Sequence, residues 1–298
     1  MKIYAVGGLH PGVYQALSSK WFKFIIDTPG WSDDVKPRPD CIRLVSDAEV
    51  RDTQYDAVIL SYSPLWHETL QKFPNATIVF FDMMNARGVQ FQEFYSHPRV
   101  VLVYISDGCR LSHGVYEGPH KVIYPGIDPD IFKGYVGNKP VAVTVRNAFR
   151  RREPDRYALW ESICGAHPKR CIGHEGETLL DQAGLVKMYQ ESRVYVNVEL
   201  HGSTFSIAAM ESMVTGMPIV STDVECNGEV IRNGFEGYIN NNNEYLRQAI
   251  DRLMVDQDLA HRMGAWARKS AMVKYSPEVF NTEWSELFEN LPMYRRNG

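Results

Sequence analysis

The sequence has few cysteines, and none of them forms a framework. Cys41, Cys109, Cys164, Cys171 and Cys226 are scattered, odd in number and without a CxxC pair, so the expectation is free structural thiols rather than disulfides or a zinc site. No apolar run approaches the ~18 residues of a membrane span, and the opening "MKIYAVGG" reads as a strand rather than a signal peptide. The expected location is therefore the cytoplasm. An excess of one charge is missing too. The 36 acidic residues against 32 Lys and Arg leave a formal −4, too mild a field to recruit nucleic acid or an anionic membrane in bulk, although a local basic patch stays open. Finally, the glycine turn "GGLHPG" lacks the GxGxxG spacing, and Asp27 is the one acidic candidate near the end of the second strand, which argues against a dinucleotide site.

What is present is an alternation. Hydrophobic residues make up 44% of 298 positions, ample for one large α/β domain or two smaller ones. Residues 2–6, "FKFIID", 56–63, 77–83 and 99–106 are apolar and rich in β-branched or aromatic residues, with helix or loop stretches between them. Such runs predict parallel strands buried on both faces and a doubly wound α/β class. Gly7 and Gly8 follow the first strand, where an open sheet lets a ligand approach the backbone. Residues 121–140 begin as a strand and become dense in Pro, Gly and Asp, an inter-domain connection. A new strand at 141–145 restarts the alternation, followed by strands in "RCIGH", 194–200 and "PIVST".

Two features of the second half carry chemistry. Arg146 closes the strand at 141–145, and Arg150, Arg151 and Arg152 follow at once. The planar fork of arginine suits phosphate oxygens, although a solvated basic helix start or a nucleic-acid patch is the plainer alternative. The segment "HGSTFSIAAMESMVTGMPIVST" then predicts a helix capped by Ser203 or Thr204 and stopped by Gly216, with Pro218 just beyond. Its N-terminus would offer free N–H groups and a partial positive charge to an anion. Glu211 sits ~40° from Ile207 on the helical wheel, at the border of the apolar face. A carboxylate there needs a partner. That partner is either an arginine or the vicinal hydroxyls of a ribose. A further helix start is expected at Gly228-Glu229, and three amphipathic helices at the C-terminal end, the last opening at Ser276-Pro277.

From Lys121 onward the chain resembles the retaining glycosyltransferases of family four. The residues that carry the resemblance are "VIYPGIDPDIF", "STFSIAAMESMVTGMPIVST", "GEVIRNGFEGYI" and "LMVDQDLAHRMGAWARKSAMVKYS", four ordered motifs at family-like spacing. The resemblance implies the GT-B fold: α/β, two facing Rossmann-like domains with parallel sheets. It implies an N-terminal acceptor-side domain over 1–135 and a C-terminal nucleotide-sugar-binding domain over 136–298, the last helix packing back toward the first domain. It also implies a hexosyltransferase that uses a nucleotide sugar, UDP-sugar or GDP-sugar, as substrate, retains the anomeric configuration and needs no cofactor or metal. The catalytic residues it implies are Arg146 and Arg151, against the diphosphate. Gly7, Gly8, Ser203, Thr204, Phe205, Ser206 and Glu211 are the expected donor-binding set. The family's Glu-x7-Glu pattern is met at Glu211, whereas the position eight residues earlier is Ser203, a departure that bears on the identity of the donor.

Two functions follow. The first is a glycosyltransferase in which Arg146, the arginine run and the helix N-terminus stabilise a leaving diphosphate. The second is a non-catalytic GT-B-like module that binds a nucleotide or nucleic acid. Hydrolysis of a sugar nucleotide without acceptor separates them. His10, Trp66, His67, Asp82 and Asn85 lie near expected strand ends where an acceptor would rest, and they leave its class open, a modified DNA base included.

Overall fold

The computed structural model describes residues 3–6, 24–27, 42–44, 48, 50, 54–61, 65–82, 92–112, 119–174, 180–200, 206–224 and 226–294. The positions of Gly7, Gly8, His10, Asn85, Ser203, Thr204 and Phe205 lie outside these residues. The chain divides into two compact units, one of Met1–Gly126 with Pro277–Gly298, the other of Ile127–Ser276.

The first unit holds a seven-stranded sheet of β1 (Ile3–Val6), β2 (Phe24–Asp27), β3 (Ile42–Leu44), β4 (Ala57–Leu60), β5 (Thr77–Asp82), β6 (Val100–Tyr104) and β7 (His120–Val122), in the order β3-β2-β1-β4-β5-β6-β7. Every pairing is parallel. Each residue of β4, β5 and β6 is buried, as a parallel sheet covered on both faces requires. Short helices α1 (Trp66–Lys72), α2 (Gln92–Ser96) and α3 (Asp107–Ser112) alternate with these strands. β3 is absent from the expectation, because three residues are too few to show a period.

The second unit holds β8 (Lys139–Val145), β9 (Lys169–Ile172), β10 (Ser192–Asn197), β11 (Ile219–Ser221) and β12 (Gly237–Ile239), in the order β12-β11-β10-β8-β9, again all parallel. Its helices are α4 (Phe149–Arg152), α5 (Pro154–Cys164), α6 (Gln182–Glu191), α7 (Ile207–Thr215), α8 (Asn243–Val255) and α9 (Gln257–Tyr275). Three are capped by the side chain just before them: Asp181 accepts from Gly184 N, Asn242 from Tyr245 N and Asp256 from Leu259 N. Trp160, Ile163, Val194, Val196, Leu246, Ile250 and Leu253 form the core between the sheet, α5 and α8. The described cysteines, Cys109, Cys164, Cys171 and Cys226, are buried thiols outside any disulfide.

The strand order of this unit reverses at β8. The chain leaves β8 for β9 on one side and returns to pair β10 on the other, so the crevice past the carboxyl ends of β8 and β10 is the switch point where open α/β sheets bind ligands. The last helix, α10 (Pro277–Glu289), begins after Ser276 as expected and belongs to the first unit. There Trp284 is 1% exposed, with its ring 5.4 Å from that of Phe81, and Lys121 pairs with Glu283 and Glu286 at 2.8 and 3.0 Å.

Candidate active site

The edge of the switch point is built by a tight reversal after β8. Ala148 takes left-handed angles (φ 53°, ψ 37°), alone among the described non-glycine residues, and its N–H donates to His174 O at 2.6 Å. Asn147 Oδ1 accepts from His174 N at 2.8 Å. Gly173 faces this turn so closely that a Cβ on it would lie 2.4 Å from Arg146 O, and its φ of 145° disfavours other residues as well. The reversal aims the Arg146 side chain across the edge toward the end of β10.

Arg146 does not meet open solvent there. One terminal nitrogen donates to Glu153 Oε2 at 2.8 Å, and the other to Glu199 Oε1 and to Val198 O, the latter at 3.2 Å. Its guanidinium also stacks 5.4 Å from the Phe149 ring centroid. Arg156 lies on the same two carboxylates, 3.2 Å from Glu153 and 3.3 Å from Glu199, which closes a ring of two arginines and two glutamates. Glu199 is only 3% exposed, so this pairing is what makes its burial tolerable. Burial works against the Arg146 charge, but the carboxylates of Glu199 and Glu153 outweigh it and raise its affinity for the proton.

The backbone of Glu199 is pinned as well. Its N–H donates to Thr222 Oγ1 and its carbonyl accepts from the same hydroxyl, both at 2.8 Å, tying the ends of β10 and β11 together. Beside them Asn227, fully buried, donates to Ser221 Oγ at 2.9 Å and to Thr222 O at 2.8 Å. This inward carboxamide shapes the segment that follows. The helix expected at Gly228-Glu229 is instead a hydrogen-bonded turn, in which Ile231 N reaches Asn227 O at 3.0 Å, and Gly234 (φ 84°) turns the chain into β12 before a second helical turn can form.

α7 begins later than its caps suggest. Ser206 is extended (φ −70°, ψ 129°) and is the N-cap, so the helix opens at Ile207 and not at Ser203 or Thr204. The Ser206 hydroxyl makes no capping bond to the helix and is among the groups that act on the Tyr195 phenol of β10. Burial pushes that phenol up to about 12, against the pull of Arg146 and of hydrogen bonds with Val145 N–H, Thr144 and Ser206. The far end of α7 follows the expectation: Gly216 is left-handed at φ 101° and its N–H returns to Met213 O at 3.0 Å. Gly264 of α9 packs there, where a Cβ would come 1.9 Å from Gly216 O, and Arg268 caps the Val214 carbonyl.

Glu211, one turn into α7, is 4% exposed, and Tyr189 of α6 donates its phenol proton to Glu211 Oε2 at 3.2 Å. Arg150, Arg151 and Arg152 form α4 and are exposed, with Arg150 lying 5.8 Å from the Tyr157 ring centroid. The described members of the expected site, Arg146, Arg151, Ser206 and Glu211, thus all lie in the second unit, in or beside the segments that follow β8 and β10. Sequence reasoning missed Glu153, Arg156, Glu199, Thr222 and Tyr189. Glu199 carries a signal close to the one that singled out Glu211, an acid among apolar residues. In the first unit Trp66 is buried, its ring centroid 3.4 Å from that of His67, and Asp82 is buried at the end of β5.

The fold is similar to that of several solved structures. HepE from Anabaena, in complex with UDP-glucose, superposes with a TM-score of 0.75 at 11% identity, over 97% of this chain and 100% of that one. Sucrose-phosphate synthase from Thermosynechococcus elongatus gives 0.72 at 13% identity, over 98% and 100%. A glycosyltransferase from Rickettsia africae gives 0.73 at 15% identity, over 98% of each chain. No curated protein matches the chain in sequence. The α/β architecture with two parallel sheets is that of the GT-B glycosyltransferases, and residues 179–270, which span α6, β10, α7, β11, β12, α8 and most of α9, match the family described as Glycosyl transferases group 1.

Proposed function

We propose that this protein is a glycosyltransferase that moves a sugar from a nucleoside diphosphate sugar, UDP-linked in the first instance, to an acceptor. The observation that carries the reading is Glu211: a carboxylate 4% exposed within a helix that opens at the carboxyl edge of the sheet, inside the segment matched by the glycosyltransferase family. A buried acid there accepts hydrogen bonds from paired hydroxyls such as those of a ribose. The N-terminus of α7, with Ser206, suits the diphosphate, and Arg151 of the exposed run supplies positive charge. Arg146 acts on the same group through the edge that it holds in place. UDP is the first choice because HepE, of like fold, is solved with UDP-glucose. Retention of the anomeric configuration and independence of metal belong to the same proposal. Product NMR tests the first, and activity in excess chelator tests the second.

The direct test is a thermal-shift series with UDP, GDP, ADP, CDP and dTDP. A ligand at about 100 times its dissociation constant stabilises by about 2.7 kcal/mol. No shift with any of the five defeats the proposal. A second reading, a nucleotide-binding module without transfer, is favoured by the pairing of Arg146 with two carboxylates, which leaves the edge less positive than a leaving diphosphate requires. Slow release of UDP from a UDP-sugar that matches the screen supports transfer. Binding with no release over days supports the module.

A further inference from the structure

Tyr189 is fully buried in α6, its ring packed 6.2 Å from Tyr195 and 6.3 Å from Phe132. A hydroxyl in such a place needs a partner, and its phenol proton goes to Glu211 Oε2 at 3.2 Å. The two residues belong to different helices, so nothing about helical spacing brings them together. Burial, and then the neighbouring Glu211, raise the phenol far above its ordinary range, so Tyr189 keeps its proton and acts toward the carboxylate as a donor only. A glutamate side chain has three rotatable bonds, and its carboxylate offers about four acceptor directions. A donor held by two packed rings restrains one oxygen of that carboxylate.

We propose that Tyr189 is a positioning residue, holding the Glu211 carboxylate in the orientation that accepts hydrogen bonds from the vicinal hydroxyls of a nucleotide ribose. This rests on the reading of Glu211 given above. Its consequence is selective. Tyr189 governs how well the site distinguishes a ribose from a sugar lacking those hydroxyls, while base and diphosphate binding do not pass through it.

Tyr189→Phe removes the hydroxyl and keeps the ring with its packing. Calorimetric dissociation constants for UDP and 2′,3′-dideoxy-UDP are measured for wild type, Tyr189→Phe, Glu211→Gln and the double variant. The wild type is expected to prefer UDP by about tenfold or more, the scale of charged hydrogen bonds. In Tyr189→Phe that ratio falls to within about threefold of unity while the dideoxy affinity stays level, and in the Glu211→Gln background the tyrosine change has no further effect. Tyr189→Met, unbranched and able to fill an irregular gap, serves if the phenylalanine variant does not fold. A ribose preference that survives in either folded variant overturns the assignment, as does an equal loss for both ligands. A wild type that binds UDP without ribose preference removes Glu211 from the site and this proposal with it. A wild type that binds no nucleoside diphosphate defeats the function itself.

Discussion

Replacing Arg146 with methionine opens the ring of four charges beside its most buried member, Glu199. Glu199, 3% exposed, then keeps Arg156 at 3.3 Å, and Val198 O loses a donor. The Glu153 contact contributes little, because that carboxylate is 32% exposed and screened by solvent. The Glu199 contact dominates. Removing one partner of a buried ion pair costs about 3–5 kcal/mol when nothing replaces it, and the remaining arginine lowers this to about 2–4 kcal/mol. For a unit of about 150 residues, at about 2–4 °C per kcal/mol, the midpoint of the second unit falls by roughly 4–16 °C. Calorimetry reads the midpoint, and urea titration reads the free energy. The pairing itself is tested by adding Glu199→Leu. With the buried charge gone, the double variant recovers part of the loss, giving a coupling of about 1–3 kcal/mol. A single-variant loss below about 1 kcal/mol, or strict additivity, would refute the claim that Glu199 depends on Arg146.

Glu211→Ala should weaken UDP binding by about 1–3 kcal/mol, and an unchanged affinity in a folded variant removes this residue from the site. Alanine at Arg150, Arg151 and Arg152 together should leave stability within about 0.5 kcal/mol, since all three are exposed, and weaken UDP more than uridine; salt-sensitive RNA binding lost in the same variant would instead assign the run to nucleic acid. Glu236 gives a pH test. Burial alone would raise its carboxyl, but hydrogen bonds from the Arg232 side chain, Ser270 and backbone N–H groups hold it below the usual carboxylate range. A depressed folded value means stability that is complete above the unfolded value of about 4.3 and is lost as pH falls below it. Glu236→Gln should therefore show a shallower acid limb in midpoint against pH, and identical slopes would reject the linkage.

The central strands of the first sheet, β4, β5 and β6, are legible because burial on both faces leaves them largely apolar over four to six residues, a signal that needs no partner to be read. β12 is not. Gly237 looks like part of a turn, yet it is a strand residue that must lack a side chain, since a Cβ would lie 1.7 Å from Ile219 O. The stop of α7 is legible in Gly216-x-Pro218, whereas its start is not. Ser203, Thr204 and Ser206 are all residue types that cap helices, and a one- to three-residue difference in a start is not encoded in the local pattern. The site divides the same way. Arg146 and Glu211 stand out as charges where their neighbours are apolar, but Glu199 is 53 residues from its arginine and Tyr189 is 22 residues from its glutamate. Pairings at such separations are products of strand order, which local pattern does not encode.

The return of the chain to the first unit at Pro277 has a consequence for biosynthesis. A ribosome releases the residues of β1 to β7 before the second unit, but the aromatic side chains that complete their core, Phe280, Trp284 and Phe288, emerge only after it. The second unit, contiguous from Ile127 to Ser276, has all of its own contacts available before that moment. Nascent chains arrested when Ser276 has left the ribosome but α10 has not should therefore carry a protease-resistant second unit beside a first unit that is still open, a reversal of the order in which the two were made.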